Sequence, residues 1–167
     1  MTRSEAQSRV SYWAGQYGVP ESLALAVAQQ ESGFIQDKRG YSGEVGVMQL
    51  MPATAVGLRV DSYDPEQNIE GGVRLLRDNY TRFGDWSLAL SAYNGGPGNV
   101  AAYGGVAPKT AGYVASVMSQ AGMLPGGAPP DVPSYQPTVE EAWNIAEEDR
   151  IPLLVVAGLA AVLLLGD

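Results

Sequence analysis

Residues 122–137, GMLPGGAPPDVPSYQP, decide how this chain can be organised. Five prolines and three glycines in sixteen residues remove backbone donors and fix or free the dihedrals at almost every step. Neither a helix nor a central strand can run through such a stretch. It divides 167 residues into a body of 1–121 and a tail, with 122–137 as linker. The tail subdivides again. Thr138 and Glu141 can start a short acidic helix over 138–150, and IPLLVVAGLAAVLLLG, 151–166, carries no charge. As a helix that run reaches only about 24 Å, against roughly 30 Å of bilayer hydrocarbon. It is apolar on all sides and follows a linker, so 151–167 is expected to be a transmembrane or membrane-anchoring segment; a buried core helix is the other reading.

Up to Gln120 the chain has 9 basic and 11 acidic residues, and beyond it 1 and 7. The net charge of −8 therefore belongs to the tail. Neither part has the basic face of a nucleic-acid binder, so no nucleic-acid partner is expected. Histidine and cysteine are both absent. That excludes a Ser-His-Asp triad, a cysteine nucleophile, a Cys/His zinc site and any disulfide. Chemistry must come from carboxylates, hydroxyls, amides, Lys, Arg or Tyr, and no cofactor or metal is expected.

The body reads as nearly all helix. Ser4 to Gln16 keeps helical spacing through Ala6, Val10, Trp13 and Tyr17, with Ser4 and Gln7 as a capping box. Gly18 stops it, and Pro20 suits the first turn of a second helix that carries Leu23, Val27 and Gln30 on one side up to Gly33. The stretch 36–47, QDKRGYSGEVGV, is polar and glycine-punctuated: a loop that can hold a short hairpin. Helices are expected over Pro52–Gly57, over Asn68–Phe83 with Ile69, Val73, Leu76 and Tyr80 on one stripe, and over WSLALSAYN behind Asp85 as cap. Gly95-Gly96-Pro97 stops that one. The last runs from Pro108 to Gln120, with Tyr113, Val114 and Val117 inward.

One carboxylate is oddly placed. The apolar run AVAQQ of the second helix ends on Glu31, followed by Ser32, Gly33 and Phe34. A helix C-terminus is the negative end of the macrodipole, which disfavours ionisation, and partial burial acts in the same direction. A general acid that must hold its proton near neutral pH suits such a place. An exposed last-turn residue with no chemistry is equally compatible with this argument alone.

Three further stretches follow in order: GVMQLMP at 46–52, AYNGGPGNV at 92–100 and TAGYVASVM at 110–118. Singly they are core filler, a helix stop and a packed tyrosine. Together with ES and the NI of PEQNIEGGVRLL, the chain from about Gln16 to Gln120 resembles the catalytic domain of soluble-type (SLT), goose-type-lysozyme-like lytic murein transglycosylases. The resemblance implies an all-α, lysozyme-like domain with a glycan groove, peptidoglycan strands as substrate and Glu31 as its only catalytic acid. It also implies that Ser32 helps hold Glu31, that Gln49 and Met51 line the groove, that Tyr93 and Asn94 sit at the reacting sugar, and that Tyr113 hydrogen-bonds near the acid.

Two departures stand out. Gly40 occupies a position where the family often has a serine, and Gly43-Glu44 replaces its usual Gly-Ala, putting a charge near the groove entrance.

Most glycosidases use two carboxylates, yet Asp37, Glu44, Asp61 and Asp64 lie in loops with no evident pairing to Glu31. One acid suffices when the substrate supplies the nucleophile, here the muramoyl C6 hydroxyl attacking C1 to give a 1,6-anhydro sugar. A hydrolytic muramidase of the same fold and a non-catalytic glycan-binding or structural virion protein are the alternatives. The N-terminus, MTRSEAQSRV, lacks the apolar stretch of a secretory signal peptide, whereas peptidoglycan lies outside the cytoplasmic membrane. A phage virion protein, associated with membrane through its apolar end and with other virion proteins, reconciles the two. It would open the host wall locally, acting in the periplasm during genome delivery.

Overall fold

The computed structural model describes residues 1–124. Among them seven α-helices run in the order α1 (Arg3–Tyr17), α2 (Glu21–Glu31), α3 (Pro52–Gly57), α4 (Pro65–Phe83), α5 (Trp86–Gly95), α6 (Pro97–Tyr103) and α7 (Ala111–Gln120). A single 3-10 turn, Pro108–Thr110, leads into α7. Two isolated antiparallel bridges, Arg39 with Val45 and Val45 with Leu50, fold the long α2–α3 loop back on itself. They give the expected hairpin in its smallest form. The expected linker, acidic helix and membrane segment lie outside the described residues. Among the described residues no helix is long and apolar enough to cross a membrane.

Helix starts follow local chemistry, with two revisions. The capping box of α1 is made by Thr2 and Glu5, not Ser4 and Gln7. Thr2 Oγ1 accepts from the Glu5 amide at 3.2 Å, and Glu5 Oε2 accepts from the Thr2 amide at 2.6 Å. Both pairs satisfy S/T-x-x-E/Q, but the earlier one has the carboxylate, which also favours the dipole. Helix α4 starts three residues ahead of Asn68. Asp64 caps it by accepting from the Gln67 amide at 2.8 Å, with Pro65 in the first turn. Asp85 caps α5 as expected, through the Leu88 amide.

The stop at Gly95-Gly96 is also a start. Gly96 turns the chain at φ 85°, and Pro97 opens the unexpected α6. In α7 the expected first turn from Pro108 is the 3-10 turn instead. Ser91 and Thr110 hold it: their buried hydroxyls meet at 2.7 Å, and Ser91 Oγ accepts from the Ala107 amide.

Helix α4 runs through the centre, packed against α1 and α5, while α2 lies between α1 and α7. Leu23, Val27, Met48, Ile69, Val73, Leu76, Leu90, Val117 and Met118 are all essentially inaccessible. Each such aliphatic side chain contributes about 1.5–3 kcal/mol of transfer free energy, offset by chain entropy. Met48 comes from the α2–α3 loop, so the loop is part of the core at that point. Gly72 makes this possible: a Cβ there would collide with the Met48 side chain. Gln30, placed by helical spacing on one side with Leu23 and Val27, is exposed and ties α2 to α7 by accepting from Ser116 Oγ and Gln120 Nε2. Alanines 24, 26 and 28 take the buried face instead.

Candidate active site

Glu31 is the last residue of α2, and everything around it concerns either the turn after the helix or the carboxyl itself. Ser32 makes the turn. It is buried, and its Oγ donates to the Val47 carbonyl at 2.7 Å and accepts from the Ile35 amide at 3.1 Å. One hydroxyl thus fastens the end of α2 to the GVMQLMP segment. Gly33 and Phe34 both take positive φ, 63° and 64°, which reverses the chain within two residues. The phenyl ring is buried in the core, and that burial holds a conformation unusual for a non-glycine residue.

Two cations cap the carbonyl end of α2. Lys38 Nζ donates to the Glu31 carbonyl at 2.8 Å, and Arg3 Nε to the Gly33 carbonyl at 2.8 Å. They satisfy orphan acceptors from distant positions, because the last turn of α2 has no basic residue of its own. Neither bonds the Glu31 carboxyl. That carboxyl meets a phenol: Tyr113 Oη, from α7, donates to Glu31 Oε1 at 2.7 Å.

Burial is the largest influence on Glu31 and pushes its carboxyl above the usual range. The Tyr113 hydrogen bond and then the Lys38 charge oppose the rise, and the Glu44 charge adds to it. Burial likewise holds the Tyr113 and Tyr93 phenols well above 10, with the charge of Glu31 adding to both. A carboxylic acid whose pKa is raised, beside phenols that keep their protons, is the arrangement a general acid needs.

The other sequence-predicted residues divide in two. Tyr93, from α5, donates through Oη to the Met48 carbonyl at 2.6 Å, holding the loop and feeling the Glu31 charge. Gln49 sits at φ 48°, and its amide nitrogen donates to the carbonyls of Gly46 at 2.8 Å and Lys38 at 3.2 Å. Glu31, Ser32, Gln49, Tyr93 and Tyr113 are therefore joined through one loop. Met51 is exposed at the start of α3, and Asn94 is exposed next to Tyr93. No hydrogen bond among the described residues links either to Glu31.

Asn68 has a site role that the helix-start reading missed. It is buried in the first turn of α4, where Nδ2 donates to the Val45 and Ser62 carbonyls and Oδ1 accepts from the Met48 amide at 2.9 Å. A Cβ at Gly46 (φ 85°) would run into this side chain. The NI pair in the sequence was its only signal. Lys38, two turns of loop beyond the acid, gave none.

The family model for the transglycosylase SLT domain matches residues 8–114. The chain belongs to this family. It is 43% identical over 120 residues to a transglycosylase of Enterobacteria phage PRD1, covering 71% of this chain and 44% of that protein. To the soluble lytic murein transglycosylase of Escherichia coli K12 it is 37% identical over 94 residues, which is 49% of this chain and 15% of the relative. The crystal structure of the 70 kDa soluble lytic transglycosylase SLT70 from E. coli superposes with TM-score 0.62 at 28% identity, over 68% of this chain and 23% of that one. An inactive Glu-to-Gln mutant of lytic transglycosylase Slt from Pseudomonas aeruginosa superposes with TM-score 0.60. The SLT domain here thus has the all-α, lysozyme-like fold expected of it, and the chain spans less than half the length of these relatives.

Proposed function

We propose that this SLT domain is a lytic murein transglycosylase that cleaves the MurNAc–GlcNAc β-1,4 bond of peptidoglycan with Glu31 as acid and then base. The observation that carries the reading is the lone, half-buried, phenol-bonded Glu31 carboxyl. Glu31 protonates the glycosidic oxygen as the C1–O bond breaks. As carboxylate it then takes the proton of the muramoyl C6 hydroxyl while that oxygen closes on C1. The product is 1,6-anhydro-MurNAc, water is not consumed, and Glu31 ends protonated again. Tyr113 orients the carboxyl, and its bond favours the carboxylate that the second half of the reaction needs. Ser32 fixes the turn that presents the acid. Gln49 and Met51 line the groove, and Tyr93 and Asn94 contact the sugar at the cleaved bond, where its N-acetyl group can stabilise the oxocarbenium-like centre.

Hydrolysis is the second reading, and Glu44 favours it, as a second carboxylate whose charge acts on Glu31. Its Oε2, however, accepts from the Ser42 amide at 3.0 Å, and the anhydro route needs no second carboxylate. The relationship to a phage transglycosylase supports the finer reading of a virion protein that opens the host wall during genome delivery. The uncharged run 151–166 supports membrane association of the tail. Incubating the full chain with isolated sacculi tests the enzyme: soluble muropeptides should appear, and their absence would sink the reading. Deleting 151–167 should abolish co-flotation with liposomes while cleavage continues. Unchanged flotation would end the anchor proposal.

A further inference from the structure

The α2–α3 loop carries two cations, Lys38 and Arg39, and they are used differently. Lys38 is spent on the Glu31 carbonyl. Arg39 commits one nitrogen only: Nη1 donates to the Gln36 carbonyl at 3.1 Å and to the Lys38 carbonyl at 3.0 Å. Those two bonds use both Nη1 hydrogens. The guanidinium carbon lies 5.0 Å from the centre of the Tyr63 ring, over its face. The Tyr63 backbone is tied to the same loop, its carbonyl accepting from Gln36 Nε2 at 3.3 Å. The exposed guanidinium is thus held by two hydrogen bonds through Nη1 and by the Tyr63 ring.

What remains is its Nε/Nη2 edge, the fork that matches two carboxylate oxygens. Among the described residues no carboxylate pairs with Arg39. Its location follows from a shared acceptor: the Lys38 carbonyl that takes Nη1 of Arg39 also takes the Gln49 amide at 3.2 Å. Gln49 belongs to the groove proposed above, and the Arg39 backbone is bridged to Val45, three residues from Met48, which Tyr93 holds.

We propose that the Nε/Nη2 edge of Arg39, backed by Tyr63, is a carboxylate-binding subsite for an acidic group carried by the glycan strand beside the bond that Glu31 cleaves. The inference rests on the transglycosylase reading and names which strands the site prefers. Peptidoglycan offers two such groups: carboxylates of the peptide stem and, where the stem is removed, the lactyl carboxylate of muramic acid. The pre-set guanidinium loses little freedom on binding, and a hydrogen-bonded ion pair at an exposed site is worth about 10-fold in affinity. Salt should weaken it.

The test compares the full chain with Arg39→Gln and Arg39→Lys on three substrates: peptide-bearing strands, amidase-stripped strands that keep the lactyl carboxylate, and strands whose carboxyls have been converted to methylamides. Arg39→Gln should lower kcat/KM about 10-fold on carboxylate-bearing strands and leave the neutralised strands unchanged. Arg39→Lys should recover part of the loss, because the charge returns without the fork. A loss confined to peptide-bearing strands identifies the stem, a loss confined to stripped strands identifies the lactyl carboxylate, and a loss on both shows that the subsite takes either group. Wild-type preference for charged over neutralised strands, declining with salt, checks the claim independently of how any variant folds. Equal loss on all three substrates, or no wild-type preference, overturns the subsite. A wild-type chain that releases no anhydro sugar from any strand instead overturns the enzymatic reading on which it rests.

Discussion

Among the described residues two Glu–Tyr hydrogen bonds differ in how their carboxylates are compensated. Between α1 and α4, Tyr17 Oη donates to Glu70, whose Oε1 also pairs with Arg74 at 3.2 Å. Between α2 and α7, Tyr113 Oη donates to Glu31, and no cation touches the Glu31 carboxyl oxygens. The Tyr17 phenol is pushed up to about 12, first by burial and then by Glu70. At the first pair the charge is answered on the carboxylate itself, so the pair is a clasp between helices. At the second, Lys38 answers the helix end through the backbone carbonyl and leaves the carboxyl with a neutral donor. The two pairs thus differ in where the compensating cation lands.

The largest effect expected from this contrast is on Glu31→Gln, which keeps the shape but cannot shuttle a proton. Cleavage should fall by about 10²–10⁴-fold with circular dichroism unchanged. Glu70→Gln should leave turnover within about twofold and cost about 1–3 kcal/mol of stability, because the Glu70 side chain is only 16% exposed and its loss leaves Arg74 uncompensated. Similar losses in both would erase the distinction.

Next comes Ser32→Ala. It strands the Val47 carbonyl and the Ile35 amide at a buried position, which should cost about 1–3 kcal/mol in denaturant unfolding and lower turnover as the acid loses its support.

Tyr113→Phe keeps the ring and removes the bond to Glu31. Turnover should drop about 3–10-fold. Because that bond favours the ionised form, the pH profile should shift upward, with the alkaline limb at higher pH than in wild type. A downward shift would mean that Tyr113 acts in another way.

The smallest effect concerns stability alone. A carboxyl whose pKa is raised on folding contributes stability fully below its unfolded value, and loses it as pH rises through the folded one. Burial raises Glu31 above 4.5, so wild type gives up stability near neutrality that Glu31→Gln does not. The Gln variant should melt higher at pH 7, with the gap closing below about pH 4.5. A gap that widened in acid would contradict the raised pKa.

Much of this was legible in the sequence because it is local. The 3.6-residue stripe Ile69, Val73, Leu76 and Tyr80, the Asp85 cap and the stop at Gly18 are read from a few neighbouring residues. Glu31 was singled out by a physical argument, an acid at the end of an apolar helix, which left its chemistry open, and Tyr113 only by the family motif. Asn68 was misread because the same asparagine that can start a helix can also hold three backbone groups of a distant loop. Helix α6 was hidden because a glycine pair that stops one helix gives no sign that Pro97 starts another. Lys38 and the Arg39–Tyr63 stack depend on how the α2–α3 loop folds back, which no periodicity encodes. Met51 and Asn94, carried over from the family, make no hydrogen bond to the acid among the described residues.

The central claim is that one carboxylate suffices because the sugar supplies its own nucleophile. Mass spectrometry of muropeptides released by the full chain in ¹⁸O-labelled water tests it most directly. The account predicts 1,6-anhydro-MurNAc ends with no label incorporated. Reducing MurNAc ends carrying ¹⁸O would show that water is the nucleophile, and would contradict it.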